Sequence, residues 1–219
     1  MPNATTGCRI VYEGGQDEII EKKSRFIATV RSVASEEEAA AFIAQQKKTY
    51  WDARHNCSAF VIGEHQELTR CSDDGEPAQT AGRPILDVLL REDIHNAAVV
   101  VTRYFGGVLL GTGGLVRAYQ KATQAGLAAS TILTRLEGQE LTVAIDYSNW
   151  GKLQYLFTQE DLATLDTQYA ANVQATLLIP LTQKQAIEKL ITNQTSGAAQ
   201  LSWGENISYA LNNKEVILL

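Results

Sequence analysis

The chain has 219 residues, 45% of them hydrophobic and 20% charged, close to the globular average, which argues against disorder, collagen and coiled coil. That length suits one large domain or two small ones. The net charge of −6 excludes a protein that coats nucleic acid through bulk positive charge, while leaving room for a local basic patch.

The charge is unevenly spread. Residues 1–135 carry 15 basic and 16 acidic side chains, and all ten arginines lie at or before Arg135. Residues 136–219 carry four lysines and nine acids, a net of −5. Arginine offers a flat fork suited to phosphate, so an anion site is expected in the first part of the chain. The three cysteines (Cys8, Cys57, Cys71) form no CxxC pair and have no histidine cluster near them, so neither a disulfide framework nor a metal site is expected. No cofactor is expected either. The N-terminal MPNATTGCRI lacks the basic start and apolar stretch of a signal peptide, and no apolar run approaches about 18 residues. The expectation is a cytoplasmic protein without membrane association.

After a short tail, Asp17–Lys23 and Arg25–Val33 read as two strands. Ser35-Glu36-Glu37-Glu38 is a capping box opening a helix with Ala39, Phe42, Ile43 and Tyr50 at helical spacing. Ser58–Ile62 reads as a buried strand and Glu67–Cys71 as a weaker one. A polar turn, Asp73-Asp74-Gly75-Glu76-Pro77, leads to a helix near Pro84 with Ile85, Leu86, Leu89 and Leu90 on one face. The unbroken apolar run from Ala97 predicts a strand to Phe105 buried on both faces. Beyond a glycine loop, Leu115, Ala118, Tyr119, Ala122, Gly126 and Ala129 mark a helix whose small residues suit close packing on a sheet. Arg135–Gly138 reads as a linker into a second domain, 136–219. There, strands around Leu141–Ile145, Ala163–Ala170, Val173–Ile179 and Leu201–Ala210 alternate with helices around Trp150–Phe157 and Ala186–Ile191. Thr182-Gln183-Lys184-Gln185 looks like a second capping box. The order β-α-β-β-α-β is the ferredoxin-like plait, so the fold class is α+β in two domains.

Three stretches carry candidate chemistry. Five of the 16 glycines fall between Gly106 and Gly114, where a strand, a loop and a helix start meet. Glycine admits close backbone approach, and a helix start directs N–H groups at an anion. Arg103 and Arg117 flank this loop, which matches neither a Walker loop nor a dinucleotide fingerprint. The second stretch, Asp73-Asp74-Gly75-Glu76-Pro77 with Thr80-Ala81-Gly82, reads either as a solvated turn before a helix or as a carboxylate cluster for acid–base work. The third is Trp51-Asp52-Ala53-Arg54-His55-Asn56-Cys57, in which His55 serves structure or pairs with Asp73 or Asp74 as acid and base. Cys71, beside the carboxylates, is expected to hold its proton. His65 and His95 read as loop residues.

Together with Lys23-Ser24-Arg25-Phe26-Ile27, these stretches resemble the YigZ/IMPACT family. The resemblance runs in order through Asp52–Cys57, Asp73–Pro77, Thr80–Gly82, Val101–Gly107 and Gly111–Tyr119. It implies an N-terminal domain (1–135) with a ribosomal protein S5 domain 2-like fold, and a C-terminal plait (136–219) like one in translation elongation factor G. It also implies that eukaryotic members bear on translational control through a partner of an initiation-factor kinase; they carry a further N-terminal partner-binding domain, which is not expected for this chain.

The leading expectation is a non-enzymatic binding protein linked to translation, touching RNA or a ribosome-associated factor, with no DNA or membrane partner indicated. Arg103, Arg117, Lys22, Lys23 and Arg25 are the expected phosphate contacts. Gly106, Gly107, Gly111, Gly113 and Gly114 would allow close approach beside Thr112 and Thr80, and Tyr104 or Phe105 would stack on a base. The alternative is a hydrolase-type enzyme for a small anionic or peptide substrate, using His55 with Asp73, Asp74 and Glu76.

Overall fold

The computed structural model describes residues 7–212 and 215–219; the stretch 1–6, part of the segment read above for a targeting signal, lies outside the described residues. The described chain divides into two compact units, Cys8–Thr134 and Arg135–Leu219.

The first unit runs β1 (Cys8–Glu13), β2 (Gln16–Glu21), β3 (Ser24–Ser32), α1 (Glu36–Thr49), β4 (His55–Ile62), β5 (Leu68–Ser72), α2 (Gly82–Arg91), β6 (Ile94–His95), β7 (Ala97–Tyr104) and α3 (Thr112–Ala128). An antiparallel sheet of order β2-β3-β7-β4-β5 forms its middle layer. β7 is central, and its residues alternate between two cores. Ala98 and Val100 pack with Phe42 of α1 and Phe60 on one face. Ala97, Val99 and Val101 pack with Ile85, Leu89 and Tyr119 of α2 and α3 on the other. This is why the run reads as continuously apolar rather than alternating. α3 lies directly on β3, where a Cβ on Gly126 would stand 2.9 Å from the Ala28 methyl.

The capping box at α1 forms with one shift. Ser35 Oγ accepts from Glu38 N at 3.2 Å, while Glu38 Oε2 accepts from Ala34 N at 2.8 Å, one residue before the cap. The N-terminal tail contributes a strand: β1 pairs in parallel with the two-residue β6, and Val11 joins the core. His95, expected in a loop, is buried in β6, with Nε2 3.1 Å from Asp93 Oδ1 and Nδ1 3.2 Å from the Gly63 carbonyl.

β8 (Thr131–Ile145) carries the chain from one unit into the other, so Arg135–Gly138 is continuous strand and not a linker. The second unit continues with α4 (Tyr147–Gln159), β9 (Ala163–Tyr169), β10 (Val173–Pro180), α5 (Lys184–Gln194), β11 (Gln200–Asn212) and β12 (Glu215–Leu218). Its antiparallel order β11-β8-β10-β9 is that of the ferredoxin-like plait, with β12 added outside β11. Trp150, Leu153 and Phe157 of α4 and Ile187 and Ile191 of α5 cover one face of that sheet. The second capping box does not form: Thr182 sits in a short 3₁₀ turn (Leu181–Gln183), and no side chain caps α5. Among the described residues, no helix is long and apolar enough to cross a membrane.

Candidate functional site

One end of the first unit's sheet gathers all three candidate stretches. Antiparallel register places His55, Arg103 and Phe26 side by side on β4, β7 and β3, on the face that Val99, Val101 and Cys57 share. Parity therefore turns Arg103 inward. Its side chain is only 7% exposed, and Nη1 donates to Glu76 Oε1 at 2.6 Å, with the Glu76 side chain 3% exposed. Tyr119 Oη donates to the same carboxylate oxygen at 2.9 Å. The guanidinium lies between the rings of Phe26 and Phe105, 5.4 and 5.5 Å from their centroids. Arg103 is thus the cation of a buried ion pair and not a phosphate contact. Arg25 is also committed, in a two-pronged pair with Glu18 at 2.8 Å on both arms. That pairing holds the Glu18 carboxyl below its usual range.

The Asp73–Pro77 turn is a junction of structural bonds. Asp73 Oδ1 accepts from Ala81 N and Gly82 N at 3.0 and 2.8 Å, satisfying donors at the start of α2 from a distance in sequence. Its Oδ2 accepts from Gln79 N. Asp74 accepts from Asn56 N at 2.7 Å and pairs with Lys47 at 2.6 Å. His55 does lie beside the turn, but its Nδ1 meets the Asp74 carbonyl at 2.9 Å rather than a carboxylate. Thr80 is buried and donates to the Pro77 carbonyl, which removes it from any ligand surface. With every carboxylate held by the fold, the cluster fits a latch better than an acid–base pair. Among the described residues, no group of three or more His, Cys, Asp or Glu is arranged to hold a metal ion.

Cys57 belongs to the same latch, its Sγ 3.0 Å from the Asp73 carbonyl and 3.3 Å from Tyr119 Oη. Burial, reinforced by the Glu76, Asp74 and Asp73 carboxylates, pushes its thiol up to about 12. Burial also raises the exposed Cys71 thiol, with Asp73 adding to the effect. The sign for Cys57 follows from proton linkage. Its pKa is higher folded than unfolded, so the contribution to stability is complete below the ordinary value of 9.0 and is lost as pH rises toward about 12. Urea midpoints should therefore fall over that interval, and the fall should be smaller in Cys57→Ala. A midpoint constant through the same interval would contradict the assignment.

Facing outward, the same end of the sheet is different in character. β2 and β3 are joined by Lys22-Lys23, with φ of 44° and 67°. Two consecutive left-handed residues form the hairpin turn that normally takes Asn-Gly. Lysine there costs about 1–2 kcal/mol per residue from Cβ crowding. Gly106 locks this turn to the glycine loop: a Cβ at Gly106 would stand 2.0 Å from the Lys23 carbonyl, while its N–H donates to Ser24 Oγ. Gly107 and Gly111 take φ of 84° and 74°, so the loop needs glycine at both. Gly111 begins α3 with no side-chain cap and no acid in the first turn. Thr112 and Gly113 are exposed there. A cleft of about 230 Å³ opens between the turn and the helix, lined by Glu21, Lys22, Leu110, Gly114, Arg117 and Lys121.

At the same end of the sheet, Trp51 is 82% exposed, Phe105 49% and Leu109 82%. Trp51 is tied to this end because Tyr104 Oη donates to Asp52 Oδ1 at 2.7 Å, with Arg25 over the Tyr104 ring. Tyr104 is thus engaged through both hydroxyl and ring, while Phe105 meets Arg103 on its ring but is the more exposed of the two. Among the described residues, none of Lys22, Lys23, Arg54, Arg117 and Lys121 is in an ion pair. Trp51 and Arg54 fall within the third candidate stretch but received no role from the sequence, and Lys121 was not singled out. A tryptophan in the charged stretch Lys47–Arg54, where no apolar periodicity claims it, was the available signal.

Residues 22–142 match the Impact N-terminal domain, and residues 143–198 match a domain of unknown function, DUF1949. The chain belongs to the IMPACT family. It is 38% identical to the IMPACT family member YvyE of Bacillus subtilis over 195 residues, covering 89% of this chain and 90% of that one. Against the family member YigZ of Escherichia coli it is 34% identical over 182 residues, covering 82% and 89%. A crystal structure of a hypothetical protein superposes with a TM-score of 0.57 at 32% identity, over 91% of this chain and 98% of that one. The match to the Impact N-terminal domain spans the Lys22-Lys23 turn, the latch and the glycine loop, so the whole sheet end lies inside the family's N-terminal domain.

Proposed function

We propose that this IMPACT-family chain is a non-enzymatic, translation-linked binding protein whose first unit holds single-stranded RNA across the end of its sheet. The observation that carries the reading is that one end of the sheet holds exposed Trp51 and Phe105 together with five cations that no carboxylate pairs. Aromatic faces accept any unstacked base, and unpaired cations follow the phosphates, a combination suited to single strands. The translation link rests on the family resemblance. Arg117, Lys22, Lys23, Arg54 and Lys121 take the phosphate role, in place of Arg103 and Arg25. The net charge of −5 after residue 135 confines the binding to a local, salt-sensitive surface.

Titration of a labelled, unstructured oligoribonucleotide by fluorescence anisotropy tests this. Affinity should fall steeply with salt, and Trp51→Ala or Phe105→Ala should each cost about 1–3 kcal/mol, a loss of about 5- to 150-fold. No binding at low salt, or full affinity in both aromatic variants, would refute the reading.

A further inference from the structure

The cleft at this end of the sheet has a charge count of its own. Three cations, Lys22, Arg117 and Lys121, line it against one carboxylate, Glu21, a local excess of two positive charges. An internal phosphodiester carries one negative charge, whereas a phosphate monoester carries close to two at neutral pH. At about 230 Å³ the cleft is smaller than the roughly 300–1,000 Å³ of sites that enclose a whole small ligand, so it fits an end group. Leu110 and Ala118 give it an apolar wall on which a sugar can rest.

The placement of Lys22 is an independent observation. The chain keeps lysine at two left-handed turn positions where Asn-Gly would be easier, and Gly106 fixes that turn against the loop. Strain retained by a fold next to a cationic cleft points to a use for the side chains. Arg117 and Lys121, one turn apart on α3, face the same cleft from the other side. These side chains, more than the helix end itself, carry the assignment.

Resting on the RNA reading above, we infer that this cleft is the receptor for the terminal phosphate monoester of the bound strand. The strand then lies with its end in the cleft and its following bases toward Phe105 and Trp51.

The test compares one oligoribonucleotide ending in a phosphate monoester with the same strand ending in a hydroxyl. The full chain should bind the phosphorylated strand about tenfold more tightly, as expected of an added charge-assisted contact. In Arg117→Ala/Lys121→Ala, both strands should bind with one common, weaker affinity. Lys22→Asn/Lys23→Gly should behave the same way while raising the melting temperature, because it relieves the turn; this separates lost binding from lost folding. Trp51→Ala should weaken both strands equally and keep their ratio. Equal affinity of the two strands for the wild-type chain would overturn the inference and leave the RNA reading standing. If neither strand binds, but a nucleoside monophosphate shifts the melting temperature and the Arg117→Ala/Lys121→Ala variant abolishes that shift, the RNA reading fails while a monoester receptor remains. No response to either strands or monophosphate would overturn both.

Discussion

Glu76→Ala is expected to cost the first unit about 3–5 kcal/mol, because it leaves the Arg103 guanidinium buried without its counter-charge. Tyr119 loses its acceptor in the same step, since both donors converge on Glu76 Oε1. At roughly 2–4 °C per kcal/mol for a chain of this size, the melting temperature should drop by about 10 °C. Arg103→Met should be milder: it keeps a flexible chain between Phe26 and Phe105, and Glu76 keeps the Tyr119 hydroxyl as donor. Replacing both, as Glu76→Leu with Arg103→Met, should recover much of the loss, since a buried pair is often worth no more than apolar residues of equal volume. Chemical denaturation of Glu76→Leu, Arg103→Met and their double variant gives the coupling energy directly. Additive losses, or a Glu76→Ala variant as stable as wild type, would show that the pair is not the buried contact described. The same series separates structure from binding. If Arg103 were a phosphate contact, Arg103→Met would lower RNA affinity at unchanged stability.

Gly106→Ala carries the next largest effect, and it joins stability to binding. Its Cβ would stand 2.0 Å from both the carbonyl carbon and oxygen of Lys23, and 2.5 Å from Ser24 N. Backbone cannot step aside as a flexible side chain can, so the hairpin turn must move away from the glycine loop. Overpacking of this kind costs about 3 kcal/mol, at the upper end of the usual range. The N–H of residue 106 also gives up Ser24 Oγ. Because Lys22 lines the cleft, its displacement should weaken RNA binding about tenfold beyond any loss of folded protein. Gly107→Ala provides a contrast. Nothing lies within 4 Å of its Cβ, so only the φ of 84° is strained, and the turn should stay in place. Circular dichroism melts and anisotropy titrations of the two variants check this. Equal behaviour of Gly106→Ala and Gly107→Ala in both assays would show that the close approach to Lys23 has no role.

These two predictions concern residues that the sequence marked for attention without revealing their use. The glycine loop stood out by density alone, but Gly106 is required by contact with a turn more than 80 residues earlier, while Gly107 and Gly111 are required by their own backbone angles. The acidic turn stood out as three carboxylates in four residues. Its partners are Lys47, Asn56, Ala81, Gly82 and Arg103, brought in by four other elements, α1, β4, α2 and β7. Arg103 was misread because its charge suggested solvent and phosphate. Strand parity held the correction, since Val101 and Val99, two and four residues earlier, face the inner core.

Much of the architecture follows from local pattern. The apolar run of β7 required burial on both faces, small residues on α3 required close approach to the sheet, and the β-α-β-β-α-β order of the second unit specified its plait. Ser35 announced the start of α1 because the donor and acceptor of a cap lie within three residues. The elements that escaped notice, β1, β6 and β12, are short strands whose existence depends on a neighbour more than on their own spacing. Family membership was also legible, because its signature segments are contiguous. The division of the basic residues into buried, paired and available ones belonged to the tertiary structure alone. Arg103 and Arg25 are neutralised by Glu76 and Glu18, whereas Lys22, Arg117 and Lys121 converge on one cleft from two elements. Charge can be counted along a sequence, but a charge's availability depends on what the fold places within a few ångströms of it.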